Sequence, residues 1–528
     1  MDAVNATNDT SGAGTGPGPT GVPVGHGPAA TAGGADASTT PGPGENPTLD
    51  TPALSLHAPA PTDPPGGHGP AGATGPAGGH GRPPGAVGHG TAGTPAPAGG
   101  QGPAGATGPA GGPGPATGPV GHGPMAGGPG RAAAAADGTG IRTPAPAGAN
   151  RTLGRGIATG LWGRVEQQDF RSRVRGTLLG SALGDALGAP AAGLSLAALR
   201  ETHGPDGLTG PAPALGRRGR VTAATQLTLF TVDGLIRAHV RRDTGAWHPP
   251  TDLHRAYLRW AATQHDWGPD ERRKDNGWLA REEWLYARRA PHRACLTGFA
   301  DDVLGTLDQP KNPTARDAAA ATRSAPFGLL VGWEPTLVLQ LSVECAAQSH
   351  GHPTAHLTAG AVAVIVHGLV RGDSLDSAVQ RALGLLGARP GHRPVTDALQ
   401  RALAAVTQGS PDPEAVEALA PDEADGSDAA DALAAAVYCA LVAEDVPQGL
   451  RLAVNHGGDS IAAGALCGAL LGALHGETAL PAAWLAELEG RSALLELADD
   501  FALEMTQGPS LHSPTAASPG WLARYPRG

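Results

Sequence analysis

Two apolar stretches with a glycine at every fourth residue constrain this chain more than any other feature. In NHGGDSIAAGALCGALLGALHG, which starts at Asn455, the glycines are Gly464, Gly468, Gly472 and Gly476. In RVRGTLLGSALGDALGAPAAG, which starts at Arg173, they are Gly176, Gly180, Gly184 and Gly188. Steps of four place residues in one row along an α-helix, and a row without side chains lets a second backbone come very close. The two helices are therefore expected to be neighbours, although almost three hundred residues separate them. In the later stretch Gly457-Gly458 permits a sharp bend, and Asp459 or Ser460 then stands where an N-cap belongs. Its apolar run is short for a membrane span and reads as the central helix of a globular core.

Composition locates that core. Of 528 residues 82 are Gly and 51 are Pro, and the excess lies ahead of residue 161. There the chain offers Gly, Pro, Ala, Thr and His without apolar periodicity, so nothing offsets the entropy of ordering it, and a disordered arm over 1–161 is expected. GPAGATGPAGG occurs twice, from Gly69 and from Gly102, but the glycine triplet register breaks at Pro83-Pro84 and at Ala116-Thr117. A flexible tether with room for a protein partner fits better than a collagen helix. Histidines such as His26, His68, His80, His89 and His122 read as part of a solvated spacer.

The first residues, MDAVNATNDTSG, lack the basic and apolar regions of a secretion signal, and no later stretch reads as a membrane span; a cytoplasmic location is expected. Cys295, Cys345, Cys439 and Cys467 show no C-x-x-C pairing and read as reduced core residues. A net charge of −11 without a Lys/Arg stripe argues against nucleic acid as a partner.

From Arg171 the periodicity is helical, which predicts an all-α domain over 171–505 and a loose tail over 506–528. Helices are expected near 173–188, 223–242, 251–263, 298–308, 331–347, 354–371, 374–387, 394–407, 427–444, 457–475 and 490–505. The aromatic insert from Trp267 to Tyr286 reads as packing rather than chemistry.

GDALGAP near the start of this domain, T-x-x-TQ-x-T in its middle, SAPFGL and S-H-G-H-P-T further on, and HGGDS before the small-residue helix make up a specific order of motifs. In that order the chain resembles the ADP-ribosylglycohydrolase family from about Arg171 to about Phe501. The resemblance implies a large orthogonal multi-helix domain with two Mg²⁺ ions that hold the ribose hydroxyls of an ADP-ribosyl group while water displaces its substituent. Hard divalent cations want oxygen ligands, and carboxylates supply the neutralising charge.

At the positions where that family does its chemistry most of the acids are gone, and Asp459 survives. The T-D-D-T motif reads Thr222-Ala223-Ala224-Thr225, and the D-x-D-T motif reads Asp459-Ser460-Ile461-Ala462. Ala192 stands where the family often has a glutamate, and Asp317 to Arg323 lack the glycines of its G-x-G-x-x-M-R loop. Thr222 and Asp459 are the residual metal positions, and the resemblance leaves no catalytic residue. No bound metal is expected. Residual binding would fall to His350, Arg323, Asn455, Gly457, Gly458, Asp459 and Ser460. Bland alternatives stand beside these: a helix cap for Asp459, a helix end for His350, a loop anchor for Arg323 and a structural acceptor for Asp185.

The expected function is thus a catalytically inactive member that binds ADP-ribose, an ADP-ribosylated protein or another protein partner. A working Mg²⁺-dependent hydrolase that recruits other carboxylates, such as Asp233, and a scaffold protein are the alternatives.

Overall fold

The computed structural model describes residues 162–527 apart from 243, 246, 266–276, 409–410, 421–427 and 513–519. The arm expected over 1–161 lies outside these residues. The described part is built from helices, with a single isolated β-bridge between Ala214 and Arg217.

In chain order the helices are α1 Arg164–Gly188, α2 Leu196–His203, α3 Ala223–Arg242, α4 Pro249–Thr263, α5 Arg293–Gly298, α6 Ala319–Thr322, α7 Ala325–Gly328, α8 Pro335–Ala346 and α9 Pro353–Val370. They continue as α10 Leu375–Leu386, α11 Arg393–Ala405, α12 Pro413–Leu419, α13 Ala429–Val442, α14 Val446–Val454, α15 Ser460–His475, α16 Ala482–Glu487, α17 Arg491–His512 and α18 Trp521–Arg524. Residues 298–308 do not form the expected helix: α5 stops at Gly298, Asp301 turns its carboxylate back to the amide of Val303 at 2.9 Å, and the chain runs on in bends to Pro310. Short side chains that bond nearby backbone compete with a helix in this way.

The glycine-striped helices α1 and α15 form the most extensive helix pair in the fold. They run antiparallel, with Gly176 against Gly472, Gly180 against Gly468, Gly184 against Gly464 and Gly188 against Ser460. A Cβ added at any of these four α1 glycines would lie under 3.0 Å from the backbone of α15, so the small residues are what permit this approach. Arg173, buried at the same interface, donates to the carbonyls of Leu369, Ala473 and Leu474 at 3.0 to 3.2 Å. It thereby donates to carbonyls in the last turns of two helices, where intrahelical donors run out.

Around this pair lie α17 on α1, α13 and α14 on α15, and α9 across α15. Helix α9 is long and apolar enough to cross a membrane by length and composition, contrary to the sequence expectation, but 94% of it is buried among its neighbours. The four cysteines are free thiols in the core, with burial pushing Cys295 up to about 12.

The end of the chain is packed where a loose tail was expected. Helix α17 continues through Pro509 to His512, and Trp521 and Tyr525 are buried. Tyr525 donates to Asp500 at 2.6 Å, Trp521 Nε1 donates to Glu504 at 3.0 Å, and the Arg524 guanidinium stacks over Trp278 at 4.0 Å. Trp278 thus serves packing, as the sequence suggests.

Candidate functional site

The N-termini of α3 and α15 meet at a small cavity lined by Thr222, Ala223, Ala224, Leu227, Ala290, His292, Ala319, Thr322, Asp459, Ile461 and Ala462. Among them Thr222, Ala223, Ala224, Asp459, Ile461 and Ala462 stand at the motif positions to which the resemblance assigns the family's metal ligands, here set side by side. The cavity measures ≈ 20 Å³, which is room for about one water molecule. Much of its lining is the methyl and branched aliphatic groups of Ala223, Ala224, Leu227, Ile461 and Ala462.

What holds α3 in place is Asp185 of α1. Its carboxylate accepts from the Thr222 amide at 2.9 Å, the Thr222 hydroxyl at 2.7 Å, the Thr225 amide at 3.2 Å and the Thr225 hydroxyl. Full burial raises the Asp185 pKa, and these four donors oppose the rise. Asp185 is therefore the structural acceptor that its place in an apolar helix suggests. Thr222, a residual metal position, donates its hydroxyl to Asp185 and lines the cavity.

Asp459 caps α15 by accepting from the Ala462 amide at 2.9 Å, and it lines the cavity as well. Other residues expected to bind ligand are engaged inside the protein. Gly457 gives its amide to Glu417 at 2.6 Å, and Gly458 gives its amide to His456 Nδ1 at 3.1 Å. Ser460, buried, donates to the Gly188 carbonyl at 3.1 Å. Asn455 is clamped to both backbone groups of Leu208, at 2.8 and 3.0 Å, and edges a separate surface groove with Arg451 and Asp206. The backbone groups of a tight turn are satisfied internally, as buried polar groups generally are.

Arg323 departs furthest from its expected role. It is 1% exposed, donates to Ser349 Oγ at 2.6 Å and to the Ala319 carbonyl at 3.2 Å, and stacks over Tyr257 at 4.8 Å. A ligand phosphate has no access to it. The absence of glycines from 318 to 322 has the same cause: α6 packs its alanines into the core, where the resemblance implied a phosphate loop.

His350 is fully buried, and its neighbours form a chain of hydrogen bonds. Arg323 donates to Ser349 Oγ, the Ser349 hydroxyl lies 2.8 Å from His350 Nδ1, and His350 Nε2 lies 2.9 Å from Asp317 Oδ1. The donors and acceptors close with Ser349 O–H donating to a neutral His350 whose hydrogen is on Nε2. Burial lowers the His350 pKa, and Asp317 opposes that.

Asp317 Oδ1 also lies 2.9 Å from Nδ1 of His292, whose side chain is 40% exposed. His292 lines the cavity, so a buried chain ends at its rim. Burial acts against charge on His292, but the Asp317 charge and hydrogen bond outweigh it and raise the imidazole to about 9. Asp317 in turn is held well below the usual carboxylate range: burial acts to raise it, and His292 and His350 more than compensate.

Sequence reasoning did not nominate His292, and it named Asp317 only as the start of the segment that lacks the loop glycines. No local motif links them, since 25 residues separate them and α5 lies between. Their meeting depends on the loop before α5. There the Arg289 carbonyl accepts from the Ala223 amide at 2.9 Å, and the Arg289 guanidinium pairs with buried Glu489. Ala290 then takes φ 47° before Pro291, which brings His292 to the rim.

These residues do not fit two magnesium ions. Among the described residues no group of three or more His, Cys, Asp or Glu is arranged to hold a metal, and the described lining of the cavity has one carboxylate, Asp459. Asp233, the spare acid of the active alternative, is buried against Arg237 at 3.0 Å and against Arg259, away from the lining.

An uncharacterized protein of Archaeoglobus fulgidus is 26% identical over 335 residues, which is 62% of this chain and 95% of that protein. A solved structure described as an ADP-ribosylglycohydrolase-related protein complex is 26% identical and covers 64% of this chain and 100% of its own, with a TM-score of 0.45. The ADP-ribosylglycohydrolase family model matches residues 166–510, well over half of the sequence, and the chain belongs to that family.

Proposed function

We propose that this chain is a catalytically silent member of its family, with no intact site for a pair of magnesium ions. The observation that carries the reading is the cavity between α3 and α15. Each Mg²⁺ needs about six oxygen ligands at short range, with carboxylates to neutralise it. Here Ala223, Ala224, Ile461 and Ala462 occupy the motif positions, and ≈ 20 Å³ does not accommodate a dinuclear centre. Without the ions the described lining offers no Lewis acid to polarise the ribose or lower the pKa of an attacking water.

The test is incubation of the full chain with ADP-ribosylated peptides and MgCl₂. The expected result is no release of ADP-ribose, and no gain from Ala223→Asp or Ile461→Asp alone, because a partial ligand set leaves the cations underneutralised. Turnover that disappears in Asp459→Ala would overturn the reading in favour of an active hydrolase.

A further inference from the structure

We propose that the surface groove between the 204–209 loop and α14 binds a small zwitterion, a free amino acid or a dipeptide, with its carboxylate on Arg451 and its ammonium on Asp206. No described residue lines both this groove and the cavity between α3 and α15, so the proposal is independent of the fate of the magnesium site.

The groove has the size of a ligand site and one wall that is pinned. It measures ≈ 380 Å³, and clefts of about 300–1,000 Å³ are usual for small molecules. Gln448, Arg451 and Leu452 of α14 face Asp206 and Thr209 of the loop, with Pro413 at the start of α12. Buried Asn455 holds the loop to the end of α14. It accepts from the Leu208 amide at 2.8 Å and donates to the carbonyls of Leu208 at 3.0 Å and of Arg451 at 2.8 Å. Gly207 turns the loop there with φ 63°, and an added Cβ would strike the Asn455 carboxamide.

Within this frame the polar side chains are open. Among the described residues neither Arg451 nor Asp206 has a side-chain hydrogen bond or ion pair, with each other or with another group, and the Thr209 hydroxyl is open as well. Gln448 uses its Oε1, which accepts from the Glu444 amide at 2.5 Å, and keeps its N–H groups. Charge then selects the ligand class. A phosphate drawn to Arg451 would face the Asp206 carboxylate, and a metal ion drawn to Asp206 would face the guanidinium. A zwitterion satisfies both, because a guanidinium takes a carboxylate through two parallel donors and a carboxylate takes an ammonium. Leu452 and Pro413 offer apolar surface to its side chain, and Thr209 and Gln448 can serve a peptide group.

Calorimetry on the full chain with L-leucine and with L-leucyl-L-leucine tests the proposal, the N-acetyl and C-amide forms of each serving as probes that lack one charge. Loss of the carboxylate charge is expected to weaken binding about tenfold, as a charged hydrogen bond to half-buried Arg451 warrants. Loss of the ammonium is expected to cost about threefold, because Asp206 is exposed. Arg451→Gln is expected to abolish the first difference and keep the second, and Asp206→Asn the reverse, both at an unchanged melting temperature. Whichever free probe binds more tightly shows whether one residue or two spans the groove. Equal affinity for free and blocked probes, no effect of either variant on these differences, or no binding of either free probe overturns the proposal.

Discussion

Asp317 couples the interior to the cavity. It sits between a buried neutral imidazole, His350, and a half-exposed charged one, His292, so its carboxylate has opposite duties on its two sides. Because His292 is raised to about 9, its contribution to stability is complete below its unfolded value of about 6.5 and is lost as pH rises through 9. Asp317 is depressed, so its contribution is complete above about 3.9 and is lost as pH falls through its folded value. Asp317→Asn is therefore expected to lower the melting temperature most between about pH 4 and 6.5, with the gap to the parent protein narrowing toward pH 9. Melts across that range check it, and a gap that stays constant with pH would show the pair to be merely packed. Residue identity alone did not reveal this: the sequence showed an acid and two histidines at scattered positions, and only the packed loop of Arg289 to Pro291 brings them onto one oxygen.

At the scale of elements the α1–α15 pair was legible in advance, because four-residue glycine spacing in two distant segments has few uses other than close packing. Its energetics are open to a two-sided test. Gly184→Ala gains about 1 kcal/mol of helix propensity, but the new Cβ falls under 3.0 Å from the Gly464 backbone, and overpacking costs about 1–3 kcal/mol where side chains alone must yield. Here backbone must move, so net destabilisation is expected. Gly384, exposed within α10 and with nothing within 4 Å of an added methyl, has only the propensity term, and Gly384→Ala is expected to stabilise by about 1 kcal/mol. Denaturant melts of the two variants measure both signs. Stabilisation by both would mean that the helices are not held at glycine contact. The boundaries of α3 were legible to the residue, whereas α12, α14 and α16 were missed, because short amphipathic turns in an alanine-rich background carry little periodicity.

For the whole molecule, the packed C-terminus extends the domain beyond the expected limit at 505. Removing residues 520–528 takes Tyr525 and Arg524 from Asp500 and Trp521 from Glu504, and exposes the surface beneath Trp521 and Tyr525. Burial of two aromatic side chains contributes about 3 kcal/mol or more, so a clear fall in melting temperature is expected; an unchanged melt would restore the loose-tail view. Composition could not foresee this, since two aromatics in a turn-rich stretch look like a tail until a partner surface exists. What the sequence determined by itself was the helical class, the family, the pairing of the glycine rows and the loss of acids at the metal positions. Each of these is a property of spacing or of residue type. The tertiary structure alone decided that Arg323, His350 and the amides of Gly457 and Gly458 are engaged internally, and that His292 reaches the cavity. Engagement depends on which groups lie within hydrogen-bond reach, and that is set by the packing of segments far apart in the chain.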